Sequence, residues 1–151
     1  MPETERDIEL FRQHRADQSK YVYFILAAAA GGIALAVRMT TYAVLEWSLA
    51  PLGAAVLCWG LSFFHGCRHL QSVQVLTRAN ADMLRTARGE DPQVGTHPER
   101  RAIAVEVLRE IMERENTSVS KNYFLQFWYL IAGAVLFVGW HITQIVLRST
   151  A

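Results

Sequence analysis

The fold is decided by residues 122–147, NYFLQFWYLIAGAVLFVGWHITQIVL, which are 26 consecutive residues without a charged side chain. About 20 apolar residues in a helix cross a hydrocarbon core about 30 Å thick, so this stretch is longer than a bilayer requires. It is a continuous apolar run, whereas a barrel strand shows ~10-residue segments of alternating polarity. We therefore expect a membrane-spanning helix that tilts or extends beyond the lipid.

Two further windows, residues 21–37 and 47–64, also lack charged residues. The whole chain is 19% charged, against about 25% in a soluble domain, and all of its Asp, Glu, Lys and Arg residues lie outside the three windows. The first window is short, but Lys20 and Arg38 at its ends can extend to the two interfaces. The second window continues to about Gly66. The sequence therefore predicts an all-α integral membrane protein with three transmembrane helices.

The distribution of Lys and Arg predicts the orientation of the chain. Residues 1–20 contain four and residues 67–121 contain nine, whereas the first loop contains only Arg38 and the tail only Arg148. Because Lys and Arg are enriched in cytoplasmic loops, we expect the N-terminus and residues 67–121 in the cytoplasm and the C-terminus in the periplasm. The 13 Arg and 2 Lys, with many Ala, point to a bacterial protein and hence to the inner (cytoplasmic) membrane.

Residues 67–121 are predicted to form a cytoplasmic antiparallel helical hairpin between transmembrane helices two and three. The first helix has a seam at alternating steps of four and three residues, consisting of His69, Val73, Leu76, Asn80, Met83 and Ala87. Residues 89–95 contain Pro and Gly and predict a turn, and Thr96 with Glu99 fits a capping box that begins the second helix. The two apolar faces either pack on each other or bind a partner as a coiled coil, in which Asn80 would fix the register.

These boundaries divide the chain into four segments. Residues 1–20 are dominated by charge and carry a weak apolar patch, which favours a helix in the cytoplasm or along the interface. Residues 21–66 form the hairpin of transmembrane helices one and two, and residues 67–121 form the cytoplasmic hairpin. Residues 122–151 form the third transmembrane helix and a short outer tail.

Two helix faces in the predicted spans are suited to close packing. The stripe on the third span consists of Gln126, Leu130, Gly133, Phe137, His141 and Gln144. Such a stripe is typical of a buried helix–helix face, and a water-lined pore is the alternative. The first span has a face of small residues at Ala28, Gly32 and Ala36. Because three helices alone bury little polar surface, both faces favour a homo-oligomer or a subunit of a larger complex.

Three histidines are the candidates for a cofactor site. His65 and His69 share one helix face at a spacing that suits two metal ligands, but no cluster supplies a third ligand, so we expect no metal site. His141 is an ionisable residue inside an apolar span. Heme between His65 and His141 is the natural hypothesis, yet their predicted depths differ by roughly 20 Å. We therefore expect no cofactor, with heme as the alternative.

Residues His65-Gly66-Cys67-Arg68-His69-Leu70 resemble the Gly-x-Arg-His-Leu piece of succinate dehydrogenase membrane anchors, a family that also has three spans. The resemblance implies heme and quinone chemistry. In that family the heme histidine precedes the glycine at a wider spacing, and the 55-residue cytoplasmic segment of this chain is foreign to it. In topology, two spans followed by cytosolic helices are similar to SLATT-type bacterial defence effectors, although the third span departs from that arrangement.

The sequence carries no recognisable catalytic motif. Walker, dinucleotide-turn, nucleophile-elbow and HExxH patterns do not occur in it, and a net charge of +1 gives no global attraction to nucleic acid. We expect a small non-enzymatic scaffold or accessory subunit in the lipid bilayer, oligomeric, whose cytoplasmic hairpin contacts a partner. The alternatives are a membrane-permeabilising effector or small channel, and a heme- or quinone-associated electron-transfer subunit.

Overall fold

The structure is a computed structural model that describes the backbone of residues 3–41, 47–95 and 97–150, and side chains from Lys20 onward within these ranges except Arg148 and Thr150. The helices are α1 (Glu3–Thr40), α2 (Ala50–Arg88) and α3 (Pro98–Thr150), and a short 3-10 helix at Trp47–Leu49 precedes α2. The described residues are 93% helical and contain no strand. The predicted all-α class is therefore confirmed.

Each helix belongs to a segment that is long and apolar enough to cross a membrane. The three segments are Lys20–Thr40, Trp47–Arg88 and Pro98–Leu147, which indicates a multi-pass membrane protein. In the most apolar 18-residue window of the third segment only 11% of the residues are buried. An apolar helix with so much exposed surface in the single chain is suited to contact with lipid.

The helices extend well beyond the uncharged windows. α1 begins at Glu3, so residues 3–20 are the first half of the helix that continues through the first window. α2 continues to Arg88 because no Pro or Gly follows Gly66 before that point. The chain divides into two compact units, Met1–Gly66 with Leu125–Ala151, here called the span unit, and Cys67–Phe124, here called the hairpin unit.

The core of the span unit is built around Trp59 of α2. The buried core cluster consists of Ala29, Ala36, Leu52, Trp59 and Trp140. Buried positions recur every seven residues in each helix, at Val22, Ala29 and Ala36 of α1, at Leu52, Trp59 and Gly66 of α2, and at Gln126, Gly133 and Trp140 of α3. This spacing is typical of left-handed packing of membrane-spanning helices.

Two glycines make room for the Trp59 ring. A Cβ atom added to Gly32 would lie 2.9 Å from the nearest ring atom, and a Cβ added to Gly133 would lie 2.6 Å from the ring and 3.1 Å from the carbonyl oxygen of Ala55. Small residues allow membrane helices to approach closely. The indole therefore sets how near α1 and α3 approach α2.

In the hairpin unit, α2 and α3 run antiparallel. His69 and Ser72 of α2 contact Val119 and Ser118 of α3, and further along, Arg101 of α3 contacts Thr86 and Ala87 of α2. Within this unit, residues near the start of its α2 segment therefore contact residues near the end of its α3 segment, as in the predicted hairpin. On the exposed surface, Arg109 and Glu113 form an i,i+4 ion pair at 3.4 Å, which contributes little to stability.

The turn between α2 and α3 follows from its glycines and Asp91. Gly89 has φ 75° and Gly95 has φ 67°, a left-handed conformation that glycine adopts without steric cost. The N–H of Gly89 donates to the carbonyl oxygen of Thr86 at 3.0 Å, and that of Gly95 donates to the carbonyl oxygen of Asp91 at 3.0 Å. The predicted break at residues 89–95 is confirmed, and the predicted cap at Thr96 lies outside the described residues.

Candidate functional site

A layer of hydrogen bonds joins all three helices of the span unit; we call Val22, Ser62, Gly66 and Gln126 the polar layer. Gln126 is 0% exposed, and its Nε2 donates to the carbonyl oxygen of Val22 over 3.4 Å. The Ser62 hydroxyl donates to the carbonyl oxygen of Gln126 at 2.7 Å. Because lipid offers no hydrogen-bond partner, polar groups inside a span bond to neighbouring helices. The polar layer therefore fixes the relative register of α1, α2 and α3.

Gly66 provides the space that the Gln126 side chain occupies. A Cβ atom at Gly66 would lie 2.6 Å from Gln126 Nε2 and 2.7 Å from Leu26 Cδ2. The carboxamide oxygen, Gln126 Oε1, has no hydrogen-bond partner among the described residues. An unpaired buried acceptor costs free energy, so Gln126 is the least well satisfied polar residue of the polar layer.

A second polar group joins α2 and α3 in the hairpin unit; we call His69, Ser72, Ser118 and Asn122 the hairpin cluster. His69 Nδ1 lies 3.0 Å from the carbonyl oxygen of Val119, and because a carbonyl only accepts, Nδ1 carries the proton. The Ser72 hydroxyl donates to the Ser118 hydroxyl at 3.2 Å. Asn122 Nδ2 donates to the carbonyl oxygen of Ser118 at 2.8 Å.

The side chains of the hairpin cluster that could perform chemistry are engaged in helix packing. His69, Ser72 and Asn122 are buried, and the His69 ring lies 5.7 Å from the Tyr123 ring. A serine nucleophile requires a base within hydrogen-bond reach and access for a substrate. In the hairpin cluster the hydroxyl of Ser72 donates to another hydroxyl, so the arrangement is suited to joining two helices.

Of the three predicted cofactor candidates, His65 and His141 lie apart. His65 is half-buried and its ring is stacked on Tyr129, with centroids 5.6 Å apart and planes at 5°. His141 is exposed and stacked on Phe137 at 6.4 Å. Twelve residues of α3 separate Tyr129 from His141, which is about 18 Å along a helix. The structure therefore does not bring His65 and His141 to one iron. Within the described ranges, no three His, Cys, Asp or Glu side chains form a group that could hold a metal ion.

The structure places the predicted seam of α2 partly on the α3 contact and partly in solvent. His69 is buried, and Leu76 and Met83, at seven-residue spacing, are half-buried. Val73 is half-buried, whereas Asn80 and Ala87 are exposed. The second contact row consists of Ser72, Ala79 and Thr86, one residue before the predicted positions. These small or polar side chains allow α3 to approach closely and to donate or accept hydrogen bonds, which a choice based on apolar residues misses.

The predicted packing faces of α3 and α1 are also buried in part and exposed in part. On α3, Gln126 and Gly133 are buried and Gln144 is half-buried, and Leu130 and Phe137 pack against the core cluster. On α1, Ala36 is buried and Gly32 is half-buried against Trp59, whereas Ala28 is exposed and its neighbour Ala29 is buried. Both faces therefore lie inside a single chain over most of their length.

A polar depression of about 410 Å³ lies beside the turn, lined by Asp82, Arg85, Glu90, Asp91, Pro92 and Gln93. Asp91 Oδ1 accepts the N–H of Gln93 at 2.8 Å, and Oδ2 accepts the Thr86 hydroxyl at 3.3 Å. These hydrogen bonds, that of Gln93 first, lower the pKa of Asp91 below its ordinary value. The carboxylate is thus engaged in holding the turn.

Trp59, Ser62 and Gly66 are the residues that sequence reasoning missed. Their signal is the seven-residue repeat that continues from the span into His69, with small or hydroxyl-bearing residues next to a bulky one. Ser72 and Ser118 carried no signal, because serine is common on solvated helix faces. Comparisons of the chain with protein-family models, curated proteins and solved structures returned no match.

Proposed function

We propose that this chain is a multi-pass protein of the bacterial inner membrane, with a cytoplasmic N-terminus and a periplasmic C-terminus, and that it acts as a non-enzymatic scaffold or accessory subunit. In this proposal it assembles as a homo-oligomer or within a larger complex, and the hairpin unit contacts the partner. The strong excess of Lys and Arg in residues 1–20 and 67–121 supports the orientation.

The observation that carries the proposal is the apolar surface of the hairpin unit. On α3, Ile103 is 67% exposed and Val107 is 51% exposed, and their i,i+4 spacing places them on one face. Val75 and Leu84 of α2 are also exposed. The unit leaves these side chains outside its own α2–α3 contact, and an i,i+4 apolar pair is how a helix contacts a partner groove or helix.

The engagement of polar side chains supports a structural role. In the hairpin cluster, His69 and Asn122 donate to backbone carbonyl oxygens, and Ser72 donates to Ser118. The contacts of His69 and Ser72 hold α2 against α3, and the unit's exposed apolar side chains remain available to a partner. A scaffold that presents a helical face requires such a rigid helical pair.

Membrane integration and orientation are tested with reporter fusions and extraction. Alkaline phosphatase fused after Arg148 is expected to be active in the periplasm, and a fusion at Gly95 is expected to be inactive there. The chain is expected to stay in the pellet after extraction of membranes with alkaline carbonate. Release into the supernatant, or both fusions reporting the same compartment, would contradict the proposal.

Partner contact is tested with the double variant Ile103→Glu/Val107→Glu. The matched control is Ala102→Glu/Asn116→Glu, which adds the same charge at two exposed positions of α3. We expect the first variant to lose self-association or its stoichiometric partner in detergent, with the control unchanged and helicity equal by circular dichroism. If both variants assembled as the parent chain does, the face that carries Ile103 and Val107 would have no role in partner contact.

One observation favours a second function, a small channel or membrane-permeabilising effector. Gln126 is a fully buried polar residue inside a span, its Oε1 is unpaired among the described residues, and polar residues within spans often mark ion or water pathways. A channel predicts dye release from liposomes that carry the protein and a lower rate for Gln126→Leu. Dye retention in liposomes that contain the assembled protein rejects this alternative.

A further inference from the structure

Arg68 and Lys121 of the hairpin unit are exposed cations that flank the α2–α3 contact. Arg68 immediately precedes His69 of α2, and Lys121 immediately precedes Asn122 of α3; both His69 and Asn122 are buried. In two antiparallel right-handed helices, residues that precede inward-facing ones lie on the same flank of the pair. Arg68 and Lys121 therefore lie on one flank, at the same level along the pair.

The opposite flank carries no charge at the corresponding positions. It carries the residues that follow the inward-facing ones, Leu70 and Tyr123, and neither is charged. The two cations are thus concentrated on one side of the helical pair. A molecule bound by charge would be held at this flank and not at the other.

Along their own helices, these two cations have no carboxylate nearby. Residues 47–81 and 116–151 contain no Asp or Glu, and the closest acid along α3, Glu115, lies 3.7 Å from Arg114. Neither Arg68 nor Lys121 forms an ion pair or hydrogen bond with any described residue. The flank thus carries two positive charges that no side chain described in the structure neutralises.

The positions of Arg68 and Lys121 next to the apolar windows indicate which kind of ligand these cations bind. Arg68 follows the second window by one helical turn, and Lys121 directly precedes the third. Charged groups at the end of a span lie at the depth of lipid headgroups, where anionic lipids attract Lys and Arg. We propose that Arg68 and Lys121 form a binding site for the phosphate of an anionic phospholipid in the cytoplasmic leaflet, an inference that rests on the proposed membrane insertion and orientation.

The site adds to the proposed scaffold function a preference of the chain for anionic lipids. An anionic lipid bound on one flank would neutralise both cations and fix how the helical pair meets the bilayer surface. Each cation near an anionic surface contributes about 1 kcal/mol, so loss of both corresponds to about a 30-fold loss of preference.

The experiment measures lipids retained by the full chain purified from equimolar phosphatidylcholine and phosphatidylglycerol vesicles, counted by native mass spectrometry. We expect the parent chain to retain phosphatidylglycerol preferentially and Arg68→Gln/Lys121→Gln to reduce this preference about 30-fold. The charge-conserving variant Arg68→Lys/Lys121→Arg is expected to keep most of it. The matched control, Arg78→Gln/Arg100→Gln, removes two exposed cations elsewhere in the hairpin unit and is expected to behave like the parent.

Three results would overturn the site: no preference in the parent chain, an equal loss in the Arg78→Gln/Arg100→Gln control, or displacement of the bound lipid by inorganic phosphate, which would make it a general anion site. Carbonate extraction and circular dichroism are run on the same preparations. A chain that leaves the membrane contradicts the proposed function, whereas a chain that stays in the membrane without a lipid preference contradicts this site alone.

Discussion

The span unit and the hairpin unit are held together by different interactions. Among the described residues, the buried apolar side chains lie in the span unit, and Ala79 is the single exception. The buried polar side chains lie mainly in the hairpin unit, at His69, Ser72, Thr86 and Asn122. One unit is thus packed around an indole between glycines, and the other is joined by side-chain hydrogen bonds.

The difference has a physical reason if the span unit is solvated by lipid, as we propose. In lipid the burial of apolar surface gains little, so helices associate through close packing and a few interhelical hydrogen bonds. In water a two-helix pair buries little apolar surface, so it needs polar contacts, a defined turn, and an additional surface to cover its exposed apolar residues. Steric changes are therefore expected to affect the span unit most, and polar changes are expected to affect the hairpin unit more mildly.

The largest loss of stability is expected for Gly133→Leu in the span unit. The new side chain would meet the Trp59 ring and the Ala55 carbonyl oxygen, which cannot move aside cheaply, and overpacking of this kind costs about 3 kcal/mol or more. Unfolding in mixed detergent followed by circular dichroism measures the loss. Gly139→Leu is the control, because a Cβ at Gly139 has no neighbour within 4 Å; equal losses in both would contradict the Trp59-centred core.

The next largest loss of stability is expected for a substitution in the polar layer. Gly66→Ala would displace the tip of Gln126 and break its contact with Val22, and we expect a loss of about 2 kcal/mol in the free energy of unfolding. Combined with Gln126→Ala, the same substitution should cost less, because one of the two obstructing side chains is gone and only the end of the Leu26 side chain must move. A double-mutant cycle measures this coupling, and additive losses would show that Gly66 and Gln126 act independently.

In the hairpin unit, Arg101→Gln is expected to have a smaller effect. The Arg101 guanidinium donates to the carbonyl oxygens of Thr86 and Ala87 in the last turn of α2, and loss of a partly exposed charged hydrogen bond costs about 1 kcal/mol. Hydrogen exchange of the α2 C-terminal amides should speed up, with that of the span unit unchanged. The neighbouring exposed Arg100→Gln serves as the control, and the same change in both variants would rule out the capping role.

The smallest effect is a pH dependence at the turn. The pKa of Asp91 is lowered, chiefly by the N–H of Gln93, so the carboxylate stabilises the turn above its ordinary pKa and this contribution is lost as the pH falls below about 4. We expect exchange at the turn to accelerate in that acidic range in the parent chain. Asp91→Asn should remove the acceleration and Glu90→Gln should keep it; an unchanged acid response in Asp91→Asn would refute the assignment.

Much of the architecture could be predicted from the sequence. The uncharged windows predict three apolar helices, and the glycines at positions 89 and 95 predict the turn at which α2 ends. The contact rows were predicted less well. The sequence predicts Val73 and Asn80 as members of the seam, but the second row of α2 uses Ser72 and Ala79, because a contact between closely spaced helices selects small side chains rather than apolar ones.

The sequence by itself determined where the helices are and which stretches avoid charge, because helix formation and transfer out of water depend on composition and local spacing. The tertiary structure decided that Trp59 lies between Gly32 and Gly133, that Gln126 reaches Val22, and that His69 donates to Val119. These contacts join residues far apart along the chain, and their geometry depends on how the helices are rotated and how closely they approach. Local periodicity does not determine those two quantities.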